Sequence, residues 1–279
     1  MGAMRESGRK RLVEIELLSP KQKSEKLEAE LEGFAEKWRL AIDRGYMVCV
    51  PDNPMGNLAF QGTDLIQELG LPAPAPQVSI HLNTFHTKRD LDGILQSMMA
   101  LGLRHLLLIS GDGSVRLPKL SGRDVGVDVP AVTSVELLRY VHREYPGKFD
   151  TGVAFNPYEP PDHENEKLRR KIDAGAQFII TQPIVEHHSA VDFLTTFGLP
   201  VIVECWMSKK LHLLSACVGY EIPEDTPYDP IANLQTLMRR YPASGMYLAI
   251  CGFKTQFPAL GGIFAEEDAA TAERAEVRP

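Results

Sequence analysis

Two polar residues sit where buried hydrophobic strands are expected to stop. Leu106-Leu107-Leu108-Ile109 runs into Ser110-Gly111-Asp112-Gly113, and Gln177-Phe178-Ile179-Ile180-Thr181 runs into Gln182-Pro183. Each apolar run follows a stretch of helical character. In a parallel α/β barrel or sheet, the residue after such a strand opens onto the ligand-binding end. The primary amide of Gln182 can both donate and accept, matching the edge of a heteroaromatic ring. Glu14 and Glu16 share parity on a third apolar run, and a strand buried on both faces does not hold two carboxylates without function or partner. A Glu16 side chain in an apolar barrel mouth would have a raised pKa and could act as a general acid near neutral pH.

Other candidates carry weaker signals. Ser110-Gly111-Asp112-Gly113 allows close backbone approach to a flat or phosphorylated ligand, but it is not the dinucleotide fingerprint G-x-G-x-x-G. His81 could bind a phosphate or a ring oxygen, or be a satisfied core histidine. His187-His188 has no companion at metal-ligand spacing and reads as a pair of solvated histidines, so no metal site is expected.

The elements that must position these residues follow from periodicity. Strand-length apolar runs at 13–18, 46–51, 78–82, 105–109, 151–155, 178–181, 201–205 and 246–251 alternate with helical stretches at 23–44, 91–103, 134–145, 164–174, 190–197, 209–218 and 231–240. Eight strands with intervening helices predict an α/β fold, a single-domain (β/α)₈ TIM barrel over residues 13–264. Residues 1–12 are expected to be disordered or tag-derived, and 265–279 to form a tail or short helix. The loop after the second strand, Asp52-Asn53-Pro54-Met55-Gly56-Asn57, is turn-rich and of the kind that carries function.

Composition excludes several classes. With 279 residues and 44% hydrophobic content the chain can bury one large core. The formal charge of −7 and the dispersed Lys and Arg leave no basic face for nucleic acid apart from a short cluster at Arg5–Arg11. Cys49, Cys205, Cys217 and Cys251 are far apart and read as reduced core thiols. No apolar run reaches the roughly 20 residues that span a bilayer, and no signal-peptide core is present, so neither a membrane partner nor a secretory route is expected and the cytoplasm is the expected location.

Three blocks then carry a family resemblance. Ile15-Glu16-Leu17-Leu18-Ser19-Pro20 resembles the F-E-F-F-P-P opening of methylenetetrahydrofolate reductases, and Leu108-Ile109-Ser110-Gly111-Asp112 is similar to their L-x-x-G-D strand end. Lys171 to Pro183 resembles the family's K-V-D-A-G-A-x-F-x-I-T-Q-x. The blocks keep the family's order from residue 13 to about 207.

The resemblance implies a TIM barrel oxidoreductase of one-carbon metabolism, serving methionine biosynthesis. It would reduce the methylene bridge of 5,10-methylenetetrahydrofolate with hydride from NADH or NADPH, relayed through a flavin, FAD or FMN. It implies that Glu16 is the acid that helps open the five-membered ring, that Asp112 contacts the substrate ring and tunes the flavin, and that Gln182 bridges folate and flavin. His81, Ser110, Gly111, Asp112, Thr133, Ser134 and Lys171 fall where the family binds its flavin, and Asn156-Pro157 where it carries another cofactor loop. Two flavin-contacting positions differ from the family pattern: Ser110 replaces an Arg, and Pro51-Asp52-Asn53-Pro54 replaces a Thr-bearing turn. Direct hydride transfer from the nicotinamide, a pterin-binding methyltransferase-like barrel and a non-catalytic subunit stay open as alternatives, as do a homo-oligomer and an electron-supplying partner subunit.

Overall fold

The computed structural model describes residues 10–265. The expected N-terminal arm up to residue 9 and the tail from Glu266 lie outside the described residues. Eight strands close a barrel in sequence order: β1 (Val13–Glu16), β2 (Met47–Val50), β3 (Val78–Leu82), β4 (His105–Leu108), β5 (Asp150–Phe155), β6 (Phe178–Thr181), β7 (Val201–Trp206) and β8 (Gly245–Ala249). The pairings are parallel, for example Ile80↔Leu106 and Leu82↔Leu108 between β3 and β4, and Val203↔Met246 and Cys205↔Leu248 between β7 and β8. All of β2 and β3 is buried. That is the reason β2 reads as a continuous apolar run, whereas β3 alternates Val78, Ile80 and Leu82 with the polar but equally buried Ser79 and His81.

Helices follow the strands: α1 (Leu27–Asp43), α2 (Gly62–Glu68), α3 (Lys88–Ala100), α4 (Ser134–Glu144), α5 (Pro161–Asp173), α6 (Ser189–Leu194), α7 (Leu211–Val218) and α8 (Pro230–Arg240), with residues 257–265 also helical. Along α1, Phe34, Ala35, Trp38 and Ala41 form the buried stripe, and the Trp38 indole N–H donates to the Pro72 carbonyl at 2.7 Å. A capping box starts α4: Thr133 accepts from the Val135 N–H, and the Thr133 N–H donates to the Glu136 carboxylate at 2.9 Å. Arg11, at the end of the basic cluster, is buried. Its guanidinium donates to the carbonyls of Met238, Tyr241 and Ser244, neutralising the negative end of α8.

The helix α2 is not visible in the hydrophobic periodicity. It is only two turns long, its N-cap residue Gln61 makes no side-chain cap bond, and it starts on a glycine. A Cβ on Gly62 would lie 2.9 Å from Ile80 Cδ1 and 3.1 Å from Val50 Cβ, so only glycine lets the helix begin so close to the strands. Helix α5 also begins earlier than periodicity suggests, with Pro161 in its first position, where a missing N–H costs nothing.

Packing within this single barrel forms two compact units. One consists of the chain up to Ile15 with Phe155–Glu164 and the chain from Phe178 onward; the other consists of Glu16–Ala154 with Asn165–Gln177. No helix among the described residues is long and apolar enough to cross a membrane. The four cysteines are free thiols; burial pushes Cys205 up, and Cys251 up to about 12.

Candidate functional site

In the unit that contains β2, β3 and β4, polar side chains gather where the strands end. The chain leaves β2 through Pro51 into Asp52, which is 5% exposed. One carboxylate oxygen of Asp52 accepts from the Asn83 backbone N–H at 2.8 Å and lies 2.6 Å from His86 Nε2. The other accepts from Asn53 Nδ2 at 3.0 Å and Gln61 Nε2 at 3.2 Å. A buried carboxylate is costly unless its lone pairs are satisfied, and four donors use nearly all that a carboxylate offers. Asn53 adopts a left-handed φ of 45°, which asparagine tolerates, and its own Oδ1 accepts from the Ala59 N–H at 3.1 Å. His86 also lines a groove of about 440 Å³ together with Asn53, Gln61, Phe85, Arg89 and Ile94.

His81 lies on β3 with 6% exposure. Burial pushes its pKa down to about 4 against the opposing pull of the Asp52 carboxylate, so the imidazole is neutral near pH 7. Beyond β3, Asn83 Nδ2 donates to the Asp52 carbonyl at 2.9 Å and Asn83 Oδ1 accepts from the Phe85 N–H at 2.7 Å. The Thr84 hydroxyl donates to the Ser110 carbonyl at 2.8 Å. Ser110 and Ser134, both anticipated from the sequence, are brought together: the Ser134 N–H donates to Ser110 Oγ at 3.2 Å. Thr133 caps the same helix start. Gly111 has φ +78°, and a Cβ there would lie 2.6 Å from Asn83 Cβ. The close approach that this glycine permits is therefore made by Asn83. Asp112 follows in an exposed position of the loop.

Glu16 ends β1 half-buried, while Glu14 is 2% exposed. Lys171, near the end of α5, is buried and its ammonium donates to the Ala154 carbonyl at 2.6 Å.

In the other unit, Gln182 follows β6 directly and is half-buried; its backbone N–H donates to the Phe155 carbonyl at 2.8 Å. Asn156 follows β5. Its N–H donates to the Glu164 carboxylate at 3.0 Å, and its Oδ1 accepts from the Tyr158 N–H at 3.0 Å. The Tyr158 hydroxyl donates to the Pro183 carbonyl at 2.7 Å, pinning the residue next to Gln182, and burial raises the phenol above its ordinary pKa. The loop after β6 is held further by the buried side chain of Asn233, which accepts from the Glu186 N–H at 2.8 Å and donates to the Ile184 carbonyl at 3.2 Å. Ile250, just after β8, sits at φ 54°, rare for a β-branched residue and of the kind found at strained strand ends near sites. His187 lies 2.7 Å from the Asp192 carboxylate rather than standing alone.

Asn83, His86, Tyr158 and Asn233 were not singled out from the sequence, and Asp52 was marked only as part of the turn-rich loop after the second strand. Asp52 and Asn83 had a usable signal, because each follows a buried strand as Asp112 and Gln182 do.

Comparison with known proteins places the chain in a family. A family model described as "Methylenetetrahydrofolate reductase" matches residues 62–212, more than half of the chain. A Caenorhabditis elegans protein named "Probable methylenetetrahydrofolate reductase (NADPH)" is 31% identical over 171 residues, which is 56% of this chain and 25% of that protein. "Methylenetetrahydrofolate reductase 2" of Schizosaccharomyces pombe is 28% identical over 117 residues, 38% of this chain and 18% of that protein. The chain thus covers a quarter or less of the length of these curated relatives. Among solved structures, a Clostridium thermocellum protein that binds two copies of 5-methyl-5,6,7,8-tetrahydrofolic acid superposes with a TM-score of 0.58 at 12% identity, over 94% of this chain and 97% of that one. The 7,8-dihydropteroate synthase of Vibrio fischeri ES114 gives 0.51 at 10% identity, over 97% and 95%. At such identities these two likenesses speak for the barrel alone. The family match over more than half of the chain decides the question: the protein belongs to the methylenetetrahydrofolate reductase family.

Proposed function

We propose that this barrel reduces the methylene bridge of 5,10-methylenetetrahydrofolate to the methyl group of 5-methyltetrahydrofolate, with hydride from NADH or NADPH. The observation that carries this reading is the family match across residues 62–212.

The residue types suit the chemistry. Opening the five-membered ring needs one proton on the departing amine, and Glu16 at the end of β1 is the acid that would supply it. The resulting iminium carbon accepts a hydride, and the two transfers together turn the bridge into a methyl group. Gln182 is of a type to hold a pterin edge with its amide, and a carboxylate such as Asp112 is of a type to favour developing positive charge. His81, neutral near pH 7, would donate or accept one hydrogen bond without adding charge.

At two of the flavin-contacting positions, the turn after β2 and Gly111, the residues present do not fit that cofactor. An isoalloxazine edge presents mainly acceptors and calls for donors. The turn after β2 offers the carboxylate of Asp52, whose lone pairs already take four donors. Asn83 also fills the open face of Gly111. We therefore route no step through flavin: hydride passes from the nicotinamide directly to the folate.

Purified protein is expected to be colourless and to consume NADH or NADPH only when 5,10-methylenetetrahydrofolate is present, with 5-methyltetrahydrofolate identified by mass spectrometry. Glu16→Gln should slow turnover by roughly 100-fold or more while 5-methyltetrahydrofolate still binds. A stoichiometric flavin absorbance band that bleaches under NADH would refute the direct route, and absence of methyl product from wild-type protein would refute the reductase reading.

A further inference from the structure

We infer that Asp52 is the positioning residue for the 110–120 loop, acting through Asn83 and Thr84 as a clamp that sets where Asp112 stands. The importance of Asp112 rests on the reductase reading above; the clamp itself does not.

The clamp begins with a charge that has no ordinary reason to be buried. Asp52 is 5% exposed, and its one ion-pair partner among the described residues is His86, not a lysine or arginine. Two of its contacts hold Asn83: the carboxylate takes the Asn83 N–H at 2.8 Å, and the backbone carbonyl takes Asn83 Nδ2 at 2.9 Å. Asn83 is thereby fixed in both main chain and side chain, with no exposed surface.

Two consequences reach the loop. First, Asn83 is the surface against which Gly111 rests: the space for a Cβ on Gly111 is bounded by Asn83 Cβ, Cγ and Nδ2 at 2.6, 2.8 and 3.0 Å. Second, Thr84, the next residue, grips the loop at both ends. Its hydroxyl donates to the Ser110 carbonyl at 2.8 Å, and its own carbonyl accepts from the Leu120 N–H at 2.9 Å. Between these ends the loop also rests on Gly56, whose Cβ position lies 3.1 Å from the Gly113 carbonyl, and on Phe85, whose ring lies 3.1 Å from the Cβ position of Gly113, and Asp112 is exposed among them. On its N-terminal side Asp112 follows Ser110 and Gly111, and both rest on the Asn83-Thr84 pair that Asp52 holds. A side chain at the end of β2 thus governs one at the end of β4.

Two readouts test the clamp, one independent of activity. Amide hydrogen exchange of Asp52→Asn should speed up in residues 110–120 by roughly tenfold or more, the loss expected when a charge-assisted hydrogen bond is weakened, while β6–β8 amides keep their wild-type protection. Thr84→Val, which leaves Asp52 intact, should loosen the same segment and serves if Asp52→Asn fails to fold. The second readout is a double-variant cycle on kcat/KM. Asp52→Asn should lower kcat/KM by roughly tenfold in the wild-type background and by less than about twofold in Asp112→Asn, because a residue acting through Asp112 has nothing left to act on. Unchanged exchange in 110–120 for both variants, exchange raised uniformly across the barrel, or fully additive effects in the cycle would overturn the inference. If the wild-type protein proves not to reduce folate, loosened exchange confined to 110–120 would still establish the clamp while the reductase reading fell.

Discussion

Neutral His81 makes the stability of this barrel pH-dependent in a defined direction. The ordinary histidine pKa is 6.5, and burial brings His81 down to about 4 in the folded protein. Above pH 6.5 the imidazole is neutral in both folded and unfolded chains and contributes no linkage. As pH falls below 6.5 the unfolded chain takes up a proton that the folded protein refuses, so stability declines by about 1.4 kcal/mol per pH unit. The decline stops near pH 4, where the folded protein also protonates. The window between 6.5 and about 4 thus corresponds to about 3 kcal/mol, an upper figure because local opening admits water. Urea unfolding of the wild type and of His81→Gln, repeated from pH 7 to pH 4, isolates this effect. Carboxylates that titrate in the same range are common to both proteins and largely cancel in the difference. The wild type should lose about 3 kcal/mol relative to His81→Gln on acidification. A difference that stays flat, or that grows in favour of the wild type at low pH, would mean that the folded protein accommodates an imidazolium and that the neutral assignment is mistaken.

Two further substitutions probe the strand-end architecture. Gly111→Ala combines a left-handed backbone, φ +78°, with a Cβ 2.6 Å from Asn83, and should destabilise the protein by about 2–4 kcal/mol in urea unfolding; a loss under about 0.5 kcal/mol would show that Asn83 can move aside. Asn233→Ala removes the acceptor of the Glu186 N–H and the donor to the Ile184 carbonyl and should cost about 2–3 kcal/mol, with proteolysis rising first in the loop after β6; uniform cleavage across the chain would argue against a local role.

The barrel was legible because its strands carry their signal locally. Val78–Leu82 and Phe178–Thr181 have the bounds that their apolar runs suggest, since both strands are packed on two faces and bordered by polar residues. Where the reading erred, the cause lay outside the segment. The first strand was expected to extend to Leu18 but stops at Glu16. Leu17 is still buried, and its N–H reaches the Cys49 carbonyl at 2.9 Å, so apolar character continues for a residue past the regular ladder before Leu18 turns to solvent. Helix α2 escaped notice because seven residues give too short a period, and its placement depends on the Val50 and Ile80 side chains that meet Gly62.

The site was only partly legible, and Asp52 and Asp112 explain why. In sequence they are near equivalents: each comes one to four residues after a buried strand, in a turn rich in glycine, proline or asparagine. In the folded protein their circumstances are opposite. Asp52 receives donors from residues 1, 9, 31 and 34 positions away and has nothing left to offer a ligand. Asp112 is exposed at the same kind of strand end. No local pattern separates the two, because what distinguishes a structural carboxylate from a ligand-facing one is the number of its lone pairs already used, and three of those four partners lie in other segments, Gln61 just before α2 and Asn83 and His86 after β3. Glycine is ambiguous for the same reason: Gly111 signals that something approaches the backbone closely, and only the fold reveals that Asn83 does so. Residue type at a strand end therefore identifies where chemistry can occur, whereas long-range hydrogen bonding determines which of those residues remain able to perform it.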